Sequence, residues 1–315
     1  MPIALSLVLL IIGFIVLVQS ANVFVDASVG IARYLKVPTL VIGLTVVAMG
    51  TSAPELVIGV SAALGGSSNL AIANAVGSNL FNLLFIIGFC AMLYPISVQT
   101  AKISRDYWVS AAATMTLLIL IYIFAGSEIP RLGGFIFLLG FCIYMFAVIK
   151  SAMKNRVTED TEADTKQKPL WKNIVIVIIS IAAIMGAGQL TVVSATNIAE
   201  LMGVSERVIG LTIVSIGTSL PELVTTIIAC RKKEGEFAIG FIIGSGIFNL
   251  MLVLGVAGTI MPLAVEYSAL LDIMVLTIGT LAFFIYAKSG QKLVRLEGLL
   301  MVLMYVGYMG YVLLM

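Results

Sequence analysis

The chain has 315 residues, 61% of them hydrophobic and 11% charged, with a mean hydropathy of +1.15 and a formal net charge of +2. That balance leaves too little polar surface to cover a soluble domain, and several stretches run about 20 residues without a charge, enough to cross roughly 30 Å of bilayer hydrocarbon as helices. Period-2 alternation is absent, which excludes a transmembrane barrel, and the lack of any histidine removes the usual titrating base and the commonest transition-metal ligand.

Taken in chain order, the sequence predicts an all-α membrane protein of ten spans: 3–25, 39–64, 70–95, 107–125, 133–150, 173–197, 207–230, 237–263, 268–287 and 296–314. The first has no Lys or Arg ahead of its apolar run, so it reads as a transmembrane helix and not as a signal peptide. Asp26, at its end, reads as interfacial. Cys90, Cys142 and Cys230 lie in or at the end of apolar stretches with no paired spacing, as packing residues do. The long polar stretch 151–172 carries Glu159, Asp160, Glu162 and Asp164 without the ligand spacing of a calcium loop, and reads as a solvated linker between residues 1–150 and 173–315. Glu200, Glu206 and Arg207 read as solvating a loop at the opposite surface, with a cation-attracting vestibule as the alternative reading.

Numbered in order, the odd loops hold 16 of the 18 Lys and Arg, and the even loops hold Arg131 and Arg207. Positive loops stay in the cytoplasm, so both termini are expected outside it, in a multi-pass cell-membrane protein.

The two halves repeat. Residues 41–58 read VIGLTVVAMGTSAPELVI and 208–225 read VIGLTIVSIGTSLPELVT, identical at 13 of 18 positions. At the same offset of 167, GSNLFNLL at 77–84 meets GSGIFNLM at 244–251, with Gly246 standing where the first copy has Asn79. Five spans per half is an odd number, so the second half enters the membrane upside down. Two inverted five-helix repeats place a substrate site near the midplane, between them.

Glu55 and Glu222 occupy matching places about mid-span, where a carboxylate costs several kcal/mol and marks function. Thr51 and Thr218 lie one turn earlier, and Ser52 and Ser219 add oxygens. Pro54 and Pro221 lack the N–H that would bond the carbonyl four residues back, which loosens carbonyls near Ala48 to Gly50 and Ser215 to Gly217. Ser78 with Asn82, and Ser245 with Asn249, are spaced i, i+4 on their helices. Each glutamate is expected to face the Ser/Asn helix of its own repeat. An all-oxygen set suits sodium, calcium or magnesium, and two carboxylates balance one calcium or two sodium ions. Competition for shared ligands is a physical basis for exchange.

GTSAPE at 50–55 and GTSLPE at 217–222, each followed by GSxxFN, resemble the two alpha repeats (here 41–84 and 208–251) of the calcium/cation antiporter superfamily, particularly its prokaryotic sodium/calcium exchangers. The resemblance spans both halves. It implies the exchanger fold, alternating access, sliding of the first and sixth helices as a gate, and transported calcium and sodium with no prosthetic group, enzymatic activity, nucleic acid or protein partner. By position, Glu55 and Glu222 would chelate calcium with the Thr51 and Thr218 carbonyls. Sodium would use those glutamates with Thr51, Ser52, Ser78, Thr218, Ser219, Ser245 and the carbonyls of Ala48 and Ser215. Archaeal members have Asp where this chain has Asn249, the potassium-dependent branch also uses Asp in this second motif, and proton-coupled relatives carry an acid there. The neutral Asn82 and Asn249 therefore argue against potassium or proton coupling. The rival readings are a proton/divalent antiporter, a passive channel, for which no filter loop is present, and an intramembrane enzyme, for which no nucleophile or catalytic-metal motif is present.

Overall fold

The structure, a computed structural model, describes residues 2–154, 169–203 and 215–314. Most of the predicted linker, the acids at 159–164, and Glu206 and Arg207 lie outside that set. The described chain is helical almost throughout. Helix α1 spans Ile3–Leu35. Helices α2 (Thr39–Thr51) and α3 (Ala53–Leu64) follow, then α4 (Ser68–Leu93), α5 (Thr100–Ile123) and α6 (Arg131–Lys154). The second half contains α7 (Leu170–Leu201), the short α8 (Ser215–Thr218) and α9 (Leu220–Arg231), then α10 (Gly235–Ile260), α11 (Ser268–Gly290) and α12 (Arg295–Leu314). Seven of these helices are long and apolar enough to cross a membrane singly, and the α2–α3 pair, bent by 48°, is an eighth candidate. The other two predicted spans are 296–314, which is the 20-residue α12, and 207–230, whose residues 207–214 lie outside the described set.

Apolar residues line the outside as well as the core, as a lipid-facing protein requires: Leu132, Phe135, Leu139, Ile143 and Phe146 of α6 are all more than half exposed. Helices α1 and α7, of 33 and 32 residues, would each be about 50 Å long at 1.5 Å per residue, well beyond the hydrocarbon thickness. They run along one another in the most extensive helix pair among the described residues. Gly13 and Gly30 make that approach possible: a Cβ there would stand 2.7 Å from Thr191 Oγ1 and 2.8 Å from Asn173 Nδ2.

Helices α4 and α10 are enclosed by the others. Each changes to π-helical turns over the same repeat positions, Phe81–Ile86 and Phe248–Val253, and α2 contains a third such stretch, Gly43–Val47. Inserted turns of this kind often mark functional sites.

Four two-residue strands tie the halves together crosswise. β1 (Ile96–Ser97) pairs antiparallel with β4 (Lys292–Leu293), and β2 (Glu128–Ile129) with β3 (Leu263–Ala264). Adding the offset of 167 to 96–97 gives 263–264, so β1 and β3 are repeat counterparts, and each joins the opposite half. The end of α4 likewise packs on α12, and the end of α10 on α6. Exchanging the halves maps each contact onto the other, as a pseudo-two-fold arrangement demands.

Candidate ion-binding site

Two helix breaks build the site. Between α2 and α3, Ser52 leaves helical geometry at φ −86° and ψ 11°, and Pro54 falls in the first turn of α3. Ser219 does the same at φ −95° and ψ 8°, with Pro221 in the first turn of α9. Proline is tolerated there because a first-turn N–H has no intrahelical partner to lose. Each break therefore ends one helix and restarts another, with Glu55 and Glu222 in the restarted first turns. A carboxylate at that position meets the positive end of the helix dipole.

Both glutamates are fully buried, at 1% and 0% exposure. Thr51, Ser52, Ser78, Ser219, Ser245, Asn82 and Asn249 are buried with them, and Thr218 is half-buried. Ser245 and Asn249 lie on α10, and Ser78 and Asn82 on α4. Ser215 opens α8.

The side-chain contacts run between repeats. Ser52 Oγ lies 2.6 Å from Ser245 Oγ and donates to Glu222 Oε1 at 3.5 Å, while Asn82 Nδ2 donates to Ser245 Oγ at 3.4 Å. Ser52 thus bridges Glu222 to Ser245, on the Ser/Asn helix of Glu222's own repeat, while linking the two halves. Within the first half, Asn74 Nδ2 of α4 donates to the Glu55 carbonyl at 3.3 Å. The link between the halves follows from packing: α2 rests on the backbone of α10, where a Cβ on Gly244 would stand 2.6 Å from the Leu44 carbonyl oxygen.

Two expected ligands are already engaged. Thr51 Oγ1 donates to the Val47 carbonyl at 3.2 Å, and the Ala48 carbonyl accepts the Ser52 N–H at 3.0 Å. Each oxygen retains a lone pair for a cation. What the protein leaves unsatisfied is more telling. Glu55 Oε2, Glu222 Oε2, Asn82 Oδ1, Asn249 Oδ1 and Ser219 Oγ are buried without a hydrogen-bond partner. Buried polar atoms are normally paired, and four of these five can only accept while the carboxylates are ionised. Acceptors of this kind suit a hard cation. Among the described residues there is no cluster of three or more His, Cys, Asp or Glu, so the anionic charge here is that of the two glutamates.

Sequence reasoning passed over several polar residues. Asn79 donates from Nδ2 to the Gly246 carbonyl at 3.0 Å and accepts from Asn249 Nδ2 at 3.2 Å; the only hint was its asymmetry with Gly246. Asp106, 1% exposed, is held by Arg105 at 2.8 Å and by Tyr144 Oη at 3.2 Å, and Tyr308 Oη donates to Asp272 at 2.9 Å. These acid–tyrosine pairs tie α5 to α6 and α11 to α12. Asp26 is an interfacial partner of Lys232, at 2.6 Å.

Two buried carboxylates among neutral oxygens, set at paired helix breaks in a helical membrane protein, define a cation carrier. The sodium/calcium exchanger protein family matches residues 5–150 and 172–314, and the chain belongs to that family. The sodium/calcium exchanger MaX1 of Methanosarcina acetivorans is 32% identical over 347 residues, covering 98% of each chain. Inner membrane protein YrbG of Escherichia coli is 32% identical over 308 residues, 91% of this chain and 90% of that one. The structure of the sodium-calcium exchanger NCX_Mj soaked with Na+ and Ca2+ matches with a TM-score of 0.84 at 29% identity, over 97% of this chain and 98% of that one.

Proposed function

We propose that this protein exchanges calcium for sodium across the cell membrane by alternating access, with Glu55 and Glu222 as the anionic centre both ions share. The observation that carries this reading is the cluster of buried, unpartnered oxygens from both halves. Two ionised carboxylates in low dielectric must be neutralised. One calcium or two sodium ions accomplish it, so filling the site with one ion releases the other. In this reading calcium is held by both glutamates with the Thr51 and Thr218 carbonyls. Sodium engages the glutamates with Thr51, Ser52, Ser78, Thr218, Ser219, Ser245 and the carbonyls of Ala48 and Ser215, while Asn82 and Asn249 add neutral oxygens.

The architecture proposed for this mechanism is ten spans in two inverted five-helix repeats, 1–150 and 173–315, with the linker 151–172 in the cytoplasm and both termini outside it. The crosswise strand pairs support it, as does the distribution of Lys and Arg. Helices α1 and α7, lying together against the core, fit the part of a sliding gate. The partners in this reading are calcium, sodium and lipid.

The test is radiolabelled calcium uptake into proteoliposomes under imposed gradients. A sodium gradient should drive uptake and a pH gradient alone should not. Uptake with the pH gradient and none with sodium would overturn the sodium assignment.

A further inference from the structure

The two repeats diverge where they touch at the centre of the molecule. Asn79 of α4 has Gly246 of α10 as its counterpart, and the structure brings these two positions together: Asn79 Nδ2 donates to the Gly246 carbonyl at 3.0 Å. A Cβ on Gly246 would stand 3.6 Å from that same nitrogen, in ordinary van der Waals contact.

The amide has a second task. With its N–H group spent on Gly246, Asn79 presents Oδ1, which accepts from Asn249 Nδ2 at 3.2 Å. Asn249 and Asn79 are 0% and 4% exposed. An asparagine has a donor end and an acceptor end, and its environment decides which way round they sit. Because Asn79 captures the donor end, Asn249 Oδ1 is left as a buried acceptor without a partner. In the other half, the donor end of Asn82 is taken by Ser245 Oγ at 3.4 Å, and Asn82 Oδ1 is again unpartnered. The halves reach the same result, an oxygen offered and a nitrogen withheld, with different partners.

We infer that Asn79 is a positioning residue that fixes the amide of Asn249 so that its oxygen, not its nitrogen, is offered to the transported cation. It lets a neutral side chain act as an oxygen ligand at a place where a carboxylate would need no such orientation. The inference rests on the ion-site reading above.

The test compares Asn79→Leu in two backgrounds, using full-length protein in proteoliposomes and the calcium concentration that half-saturates sodium-driven uptake. In the natural background, losing the acceptor frees the Asn249 amide to turn, and half-saturation should rise about tenfold, as for one lost hydrogen bond of ordinary strength. In the Asn249→Asp background both ends of the side chain are oxygen, so adding Asn79→Leu should leave half-saturation where Asn249→Asp alone sets it. A residue with only a packing role would cost the same in both. Equal penalties in the two backgrounds, or no penalty in the first, overturn the inference. If Asn79→Leu does not yield folded protein, Asn79→Ser gives the same comparison. Glu55→Gln serves as the control: uptake that persists in it overturns the ion-site reading and this inference together, whereas equal penalties beside an inactive Glu55→Gln overturn the role of Asn79 alone.

Discussion

Helices α4 and α10 are repeat counterparts, and they have diverged in opposite directions. α4 carries Asn74 and Asn79, which bond to the Glu55 carbonyl and to α10; 167 residues on, α10 carries Phe241 and Gly246. α10 is instead packed tightly from outside: a Cβ on Gly240 or Gly244 would stand 2.5 or 2.6 Å from a carbonyl oxygen of α2. The ligand types Ser and Asn at 78 and 82 nevertheless recur at 245 and 249. In the proposed reading, the duplicated residues set what the site offers a cation, and the unduplicated neighbours set how those residues are held.

The sharpest way to break this division is at the glutamates. Glu55→Gln and Glu222→Gln should each reduce calcium uptake by more than about 100-fold, since each removes one charge from a buried site that needs both. A variant of either that keeps near-normal uptake in proteoliposomes would show that the duplicated positions are not functionally equivalent. The next largest effect should be on folding. Gly244→Ala forces a methyl against the Leu44 backbone, which cannot swing aside as a flexible side chain can, and overpacking of this kind costs about 1–3 kcal/mol. Its apparent melting temperature in detergent should drop by several degrees, and an unchanged value would show that α2 and α10 can part at little cost.

Smaller effects belong to the face where α1 meets the α9–α10 turn. Lys232 Nζ bonds Asp26 Oδ1 and the Asn22 carbonyl, and Arg33 lies 3.7 Å from Glu234. The repeat counterparts of Asp26 and Lys232 are Val193 and Gly65, so the other half cannot form the same pair. A double-mutant cycle with Asp26→Asn and Lys232→Gln, read by thermal stability, should give a coupling below about 1 kcal/mol that shrinks with added salt. A coupling insensitive to salt would point to packing and not to charge.

The smallest expected change concerns Glu234. Burial raises its carboxyl above the ordinary value of 4.5, with the Arg33 charge opposing that rise. The folded state therefore holds this proton more tightly than the unfolded chain does, and the stability it contributes is present at low pH and lost as pH climbs above 4.5 through the raised value. Glu234→Gln should flatten the melting temperature across that window, and an unchanged pH slope would remove Glu234 as its source.

Much of this was legible in the chain itself. Long apolar runs mark helices whatever their partners, so the helical character of the chain follows from local pattern, and Glu55 and Glu222 stand out because nearly the same motif surrounds both. The contacts that shape the site do not. Ser52 finds Ser245 193 residues away, and Asn249 finds Asn79 170 residues away, distances over which periodicity carries no information. The two-residue strands are too short to leave an alternating pattern, and the π turns of α4 and α10 read simply as helix. Asp106 escaped notice because it lies next to Arg105, which looks like an ordinary interfacial pair until Tyr144 is seen to close over it.

The crosswise strand pairs have a consequence for how such a chain is made. During synthesis the first half leaves the ribosome holding one strand of each ladder, one glutamate and one of the two Ser/Asn helices. Several of the partners they need are still untranslated. Ser52 waits for Ser245, and β2 for β3, so the first half must sit in the bilayer with its polar groups unmatched until the second is threaded in the opposite sense. A chain truncated at the linker should be cleared by the cell, and supplying the second half as a separate polypeptide is the direct route to saving it.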